Sequence, residues 1–215
     1  MLAVCGLGVD SEAVALAGSV PTFATQHPQT QAAVAYAERM HAGQQRADGT
    51  PFILHPLEVA SLLHDNGAPD HLIAAGVMHD LIEKTGVSAA HLREGFGPRI
   101  TALVLAVSDD EQIGRYAKRK AALRQQVSGA GDEALTLFAA DKLSKVRELR
   151  RETARDSTDG ATRGRVREFR ARRLKHYHRS LTLLEERQPG SALVRALRDE
   201  LTALPSARTM TAGIR

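Results

Sequence analysis

From Pro28 onward, the apolar residues of this chain recur at steps of three and four, and no stretch sustains the every-second-residue alternation of a half-buried strand. A chain patterned this way has no sheet to build, so its core must form where apolar helix faces meet. The pattern predicts an all-α fold. Ala33, Val34, Ala37 and Met40 share one face of a first helix, which Gly43 can cap at its C-terminus. Gln44 to Pro51 reads as a polar loop holding Asp48-Gly49, and Pro56 can open a second helix at its first position, ending at Asn66-Gly67. A third helix is predicted from Pro69 through Ile73, Val77 and Ile82 to Thr85-Gly86. Ser88 can cap a short helix to Phe96, and Gly97-Pro98 restarts the chain into Ile100–Val107. Longer helices are expected over 115–127 and 133–151, and Thr158-Asp159-Gly160 breaks the pattern. A late helix carries Val166, Phe169, Leu174, Tyr177, Leu181 and Leu184, and Gln188-Pro189-Gly190 turns the chain into a last short helix over 191–203.

The 215 residues suffice for one substantial domain and are short for two. We expect a tail over 1–26, where Gly6, Gly8, Asp10 and Glu12 interrupt a mildly apolar start that lacks a basic leader region. The domain itself is expected over 27–188, with a C-terminal helix and tail over 189–215 that frays from 205. No apolar run approaches the ~18 residues of a membrane span. A single cysteine, Cys5, excludes an internal disulfide framework and a cysteine-based zinc cluster, so any metal site must draw on the nine histidines and the carboxylates. The lack of Trp, with aromatics at 4%, weakens any reading as a base-stacking single-strand binder.

Charge is unevenly spread. Residues 1–114 carry 5 basic against 13 acidic side chains, a net of −8, whereas residues 115–198 carry 22 against 10, a net of +12. An acidic half facing a basic half suits a cation together with a polyphosphate, although Arg-rich helices also simply solvate themselves.

Four places carry candidate chemistry: His55-Pro56, His79-Asp80, Glu83 and Asp141. On a helix, His79 and Asp80 diverge by about 100°, so both can grip one ion beside it. Glu83 lies one turn further on the same flank. Asp141 follows the apolar run 135–140, where an ionised carboxylate needs a partner. Two imidazoles and two carboxylates suit an octahedral Mn²⁺, Fe²⁺ or Mg²⁺ at least as well as a closed tetrahedral zinc. The plainer alternatives are that His55 serves as a cap and that Asp141 pairs with Lys142 or Lys145.

In order along the chain, His41-Ala42-Gly43-Gln44-Gln45-Arg46, Gly49-Thr50-Pro51-Phe52-Ile53-Leu54-His55-Pro56, His79-Asp80-Leu81-Ile82-Glu83, Phe96-Gly97, Val107-Ser108-Asp109-Asp110 and Ala140-Asp141-Lys142-Leu143 resemble the hydrolase domain of RelA/SpoT proteins. The likeness spans roughly 29–186 and is greatest in style to the single-domain forms, the small alarmone hydrolases and the metazoan SpoT homologue. Arg165-Val166-Arg167-Glu168-Phe169 resembles their late helix. The resemblance implies an HD-domain bundle of about eight to nine helices. It implies one Mn²⁺ on His55, His79, Asp80 and Asp141, with Fe²⁺, Mg²⁺ or Zn²⁺ as substitutes. It further implies hydrolysis of the 3′-pyrophosphate of guanosine tetra- or pentaphosphate in a cytoplasmic stringent response. Glu83 would orient or deprotonate water, Arg46 would lie against the purine or ribose, and Arg115 and Lys120 would meet phosphates. Lys142, Lys145 and Phe169 complete the implied substrate contacts. The implied partner is a small phosphorylated nucleotide, without membrane or nucleic acid, and self-association is left open.

The chain departs from the family pattern near the site. Lys84 follows Glu83 where an aspartate is usual, and a lysine cannot accept a proton as a carboxylate does at neutral pH without strong burial. Lys84 is thus a candidate catalytic residue with changed chemistry. Ala47 follows Arg46 in place of a second basic residue, Lys145 stands where Asn is usual, and Phe169 replaces a tyrosine. The expected function is a metal-dependent phosphohydrolase of a ribose-phosphorylated purine nucleotide. Its alternatives are a degenerate, non-hydrolytic nucleotide-binding module and, for the Arg-rich 147–179 region, a nucleic-acid surface.

Overall fold

In a computed structural model, residues 21–155 and 160–204 are described. A 3-10 turn, Thr22–Gln26, leads into α1 (Pro28–Met40), α2 (Leu54–Asp65), α3 (Asp70–Met78), α4 (Leu81–Thr85) and α5 (Ala89–Val107). The chain continues through α6 (Tyr116–Gly129), α7 (Asp132–Arg155), α8 (Gly160–Arg187) and α9 (Ala192–Ala203). Among the described residues there is no strand, only an isolated antiparallel bridge between Gln45 and Pro51, so the fold is the expected all-α bundle. No helix among them is long and apolar enough to cross a membrane.

The centre of the bundle is α3, in which all seven residues from Leu72 to Met78 are buried. It packs against α1, α2, α5 and α7. Its contact with α2 is close because Gly76 lacks a side chain: a Cβ there would stand 2.6 Å from Leu63 Cδ1. The buried run of α7, from Ala134 through Phe138 to Ala140, closes the far side, and α9 covers α7 with Leu193, Val194, Leu197 and Leu201.

Helix ends follow the sequence signals in several places. Ser88 and Ser191 accept hydrogen bonds from the backbone N–H groups of His91 and Val194 and so cap α5 and α9. Gly43 and Gly86 take the positive φ that ends a helix. Gly97 (φ 79°, ψ 169°) bends α5 ahead of Pro98. The start of α1 is different: His27 gives no side-chain cap, and the Asp70 carboxylate of α3 accepts from Gln29 N (3.0 Å), Thr30 N (2.9 Å) and Thr30 Oγ1 (2.7 Å) instead.

Three expectations change. The segment Pro21–Gln26, expected as tail, is a 3-10 turn whose Ala24 is fully buried, with the Phe23 ring 5.6 Å from that of His64. The second helix begins at Leu54 rather than Pro56, because the first turn needs no N–H donors and tolerates a proline two residues in. The expected third helix divides at His79–Asp80 into α3 and α4. No Gly or Pro marks that joint. The rest of the expected N-terminal tail, the 158–159 break and the fraying end from 205 lie outside the described residues.

Candidate metal centre

Three helices deliver four ionisable side chains to one interior point. The first turn of α2 brings His55, the α3–α4 joint brings His79 and Asp80, and the apolar face of α7 brings Asp141. None of the four is more than 3% exposed, so their charges must be compensated within the protein. His55 Nε2 lies 3.2 Å from His79 Nε2, 3.5 Å from Asp80 Oδ2 and 3.3 Å from Asp141 Oδ1. His79 Nε2 lies 3.4 Å and 3.5 Å from the same two oxygens.

The hydrogen bonds behind the rings decide which nitrogen carries a proton. His79 Nδ1–H donates to the Gly76 carbonyl at 2.8 Å. His55 Nδ1 meets Ser144 Oγ at 2.8 Å, and that hydroxyl donates to Glu58 Oε2 at 3.0 Å, so it accepts from His55. Both Nε2 atoms therefore face the same point, as in metal-bound imidazoles oriented by outer partners. Asp80 Oδ2 is buried without a hydrogen bond, and Asp141 Oδ1 is buried with the Lys145 ammonium as its facing cation. Ligand atoms of His55, His79 and Asp141 all lie within 4.8 Å of one another and could hold one divalent cation, with Asp80 Oδ2 beside both rings.

Electrostatics separate the two rings: the His55 ring is neutral, whereas His79 holds a proton on Nε2 that a bound cation would have to displace. Burial pulls the His55 imidazole down to about 4, with Asp141 opposing. For His79 burial is outweighed by the Asp80 and Asp141 carboxylates, which raise it to about 10. Burial likewise disfavours the charged Asp80 and Asp141, but the facing cations hold both well below the usual carboxylate range: His79 and Lys145 for Asp80, Lys142 and Lys145 for Asp141. Lys145 Nζ stands 2.9 Å from Asp141 Oδ1 and 3.8 Å from Asp80 Oδ1.

Above these four side chains opens a cavity of about 320 Å³. Of the expected site residues, Arg46, Glu83, Lys84, Lys120 and Lys145 line it together with His55 and Asp80. The tight 44–52 loop holds Arg46 in place: Arg46 N donates to Thr50 O at 2.8 Å, and Phe52 N to Gln44 O at 2.9 Å. The Arg46 side chain is 10% exposed, its Nε forms an ion pair with Glu148 at 3.7 Å, and neither Nε nor one buried terminal nitrogen makes a hydrogen bond. Glu83 Oε1 accepts the Asp109 backbone N–H at 2.6 Å. Lys84 is exposed at the rim, and among the described residues no carboxylate lies within ion-pair reach of it.

Three expected substrate contacts lie elsewhere. Lys142 is buried behind Asp141, 2.5 Å from its Oδ2, with the ammonium 4.4 Å over the Phe138 ring. Phe169 is 51% exposed on α8 and stacks against Arg172 and Arg173. Arg115 lines a neighbouring cavity. For Lys142, next to Asp141 on α7, helical spacing turns the side chain away from the metal-facing surface. Sequence reasoning gave no role to Ser144 and Glu58, which fix His55, or to Asp109, which fixes Glu83 and pairs with Lys120. Ser144 was findable, being one helical turn beyond Asp141. Asp109 stands in the Val107–Asp110 motif, but its contacts, like those of Glu58, depend on tertiary approach.

Comparison with known proteins agrees with this architecture. Residues 33–163, more than half of the chain, match the family model described as HD domain. The GTP pyrophosphokinase of Streptomyces coelicolor is 35% identical over 125 residues, which is 57% of this chain and 15% of that protein. The probable guanosine-3′,5′-bis(diphosphate) 3′-pyrophosphohydrolase of Synechocystis is 41% identical over 76 residues, 35% of this chain and 10% of that protein. The chain thus spans only a small part of these relatives. Among solved structures, a metazoan ortholog of SpoT that hydrolyzes ppGpp superposes with a TM-score of 0.66 at 22% identity, covering 86% of this chain and 97% of the other. The Listeria monocytogenes EGD-e protein lmo0812 superposes with a TM-score of 0.58 at 22% identity, covering 72% and 97%. These two likenesses concern the fold. With its His-His-Asp centre and the family match over 33–163, the chain belongs to the HD domain family.

Proposed function

We propose that this protein is a cytoplasmic, Mn²⁺-dependent phosphohydrolase that removes pyrophosphate or phosphate from the ribose of a purine nucleotide, as in (p)ppGpp 3′-pyrophosphate hydrolysis. The observation that supports this reading is the convergence of the His55 and His79 Nε2 atoms with the buried Asp80 and Asp141 carboxylates, beneath a cavity rimmed by Arg46, Lys84, Lys120 and Lys145. A divalent ion, which His55, His79, Asp80 and Asp141 would hold, would supply Lewis-acid polarisation of a phosphoryl oxygen and a lowered pKa for water.

The protein's own groups do the rest. Glu83 is anchored through Oε1 on the Asp109 N–H, which leaves Oε2 without a protein donor among the described residues and available to take a proton from the attacking water. Arg46, whose buried Nε and one terminal nitrogen make no hydrogen bond, offers a planar donor face to a purine or ribose. Lys84, Lys120 and Lys145 balance the negative charge on the transferring phosphates. The names of the relatives support the alarmone class of substrate, with the chain covering only part of their length.

A second reading, a nucleotide-binding module without turnover, draws on Lys145, whose ammonium already lies against Asp141. A product assay separates the two. Purified protein with Mn²⁺ is incubated with guanosine tetraphosphate, adenosine 3′,5′-bisphosphate and adenosine 2′,5′-bisphosphate, and released phosphate and pyrophosphate are quantified. Release from one ribose-phosphorylated nucleotide, absent with ordinary 5′-nucleotides, is the expected result. Tight binding without release supports the module instead, and neither binding nor release refutes both.

A further inference from the structure

Beside the metal-facing cavity, between α6 and α8, lies a second cavity of about 310 Å³, within the size of small-molecule sites. Arg115, Lys120, Arg124, Arg172, Lys175 and Arg179 line it, and no acidic residue does. Among the described residues, only Lys120 of these six stands within ion-pair distance of a carboxylate, that of Asp109. Six clustered cations with one counter-charge repel one another, and Arg124 is lowered from its ordinary pKa first by burial and then by Arg179.

The cluster is also shaped. Tyr116 lines the cavity, and the Arg172 guanidinium lies 5.8 Å from its ring centroid and 6.0 Å from that of Phe169, so aromatic faces hold this arginine in position. Arg124 donates to His176 Nδ1 at 2.9 Å. Because the guanidinium is a donor only, the neutral His176 ring carries its proton on Nε2. That N–H is buried without a partner, in a residue 4% exposed that lines the same cavity. Unpaired cations and an orphaned neutral donor are what an anion rich in oxygen acceptors completes.

We propose that the α6–α8 cavity is a second anion site that takes a phosphate chain of two or three units, separate from the metal-centred site. The site is distinct from the proposed catalytic cavity but touches it: Lys120 and Tyr116 line both, and Lys120 bonds Asp109, whose backbone N–H holds Glu83. A phosphate chain that draws Lys120 away from Asp109 loosens the support of Glu83, so occupancy of this site is coupled to the neighbouring one.

The test is calorimetric titration of the intact protein with tripolyphosphate, free of divalent metal, and needs no enzymatic activity. Wild type and Asp141→Ala should bind one tripolyphosphate alike. Arg172→Ala with Arg179→Ala, both exposed residues, should weaken binding by about tenfold or more. Arg46→Ala, in the metal-facing cavity, should leave affinity within about twofold. Arg124→Lys, which breaks the bond to His176, should weaken binding while circular dichroism is unchanged. The proposal is overturned if Arg46→Ala abolishes binding while the Arg172/Arg179 variant binds normally. It is overturned equally if wild type binds no tripolyphosphate at low salt, or takes a short RNA oligonucleotide but no tripolyphosphate. Because hydrolysis is not measured, failure here leaves the catalytic reading intact, and an inactive metal site does not alter this outcome.

Discussion

Ser144 Oγ accepts from His55 Nδ1 at 2.8 Å while donating to Glu58 Oε2 at 3.0 Å, so a residue of α7 sets the tautomer of a histidine from α2. The same hydroxyl couples the orientation of one candidate ligand to the helix that carries another, Asp141. The chain Glu58–Ser144–His55 therefore determines whether the Nε2 lone pair points inward.

Replacing Ser144 by Ala should leave the fold intact, since the change removes one buried hydroxyl, but frees the His55 ring to turn. Loss of such an outer partner typically costs about 10–100-fold in metal affinity. Titration of Mn²⁺ into Ser144→Ala should show that weakening. An unchanged dissociation constant would mean that His55 is oriented by packing alone.

Lys145 competes with a cation for Asp141, standing 2.9 Å from its Oδ1. A like charge this close to a divalent ion weakens its binding even at a high effective dielectric. Lys145→Asn should tighten Mn²⁺ binding by about tenfold or more while lowering affinity for phosphorylated nucleotide. Weaker metal binding in this variant would contradict the competition.

Lys84 is exposed at the cavity rim without an ion-pair partner among the described residues, so it is not locked against Asp80 or Glu83. Lys84→Asp should change stability little, as surface substitutions usually do. It restores the carboxylate usual after Glu83 and should raise guanosine tetraphosphate hydrolysis, on the scale of about 10²-fold for an acid–base group. Lys84→Ala should lower turnover on the native substrate. If Lys84→Asp stays inactive on guanosine tetraphosphate with normal metal content, the cause lies with Ala47 and Lys145.

Asp70 ties α3 to the start of α1, and Asp70→Ala should cost about 0.5–2 kcal/mol, the range for a lost N-cap. Burial alone would raise the Asp70 carboxyl, but Thr30 and the Gln29 and Thr30 amides lower it below the ordinary value. A depressed folded-state pKa contributes stability that is present above the unfolded pKa and is lost as pH falls through the folded one. Denaturant midpoints of wild type and Asp70→Ala should therefore differ at neutral pH and converge below about pH 4. A difference that grows on acidification would contradict the assignment.

Much of this was legible in the chain. Three-and-four periodicity and the Ser and Gly end signals predict the helices because each is a local property of a few residues. Residue type and order single out His55, His79, Asp80 and Asp141, and the helices bring these side chains to one point. The division at His79–Asp80 was not legible, since the joint is imposed by convergence on α2 and α7 and no Gly or Pro marks it. For the same reason Asp70 as the cap of α1, and Lys142 beneath rather than beside the site, needed the packed structure. Local spacing says which side of a helix a residue is on, not what stands opposite it.

The central claim is that His55, His79, Asp80 and Asp141 hold one divalent ion. The most direct test is calorimetric titration of Mn²⁺ into chelator-treated wild type and Asp141→Ala, with thermal melting of each. Wild type should take up one ion per chain and melt at a higher temperature with it, while Asp141→Ala binds at least about tenfold more weakly and gains no melting temperature. If the two proteins bind Mn²⁺ with the same affinity, or wild type binds none at saturating concentration, these residues are not a metal centre.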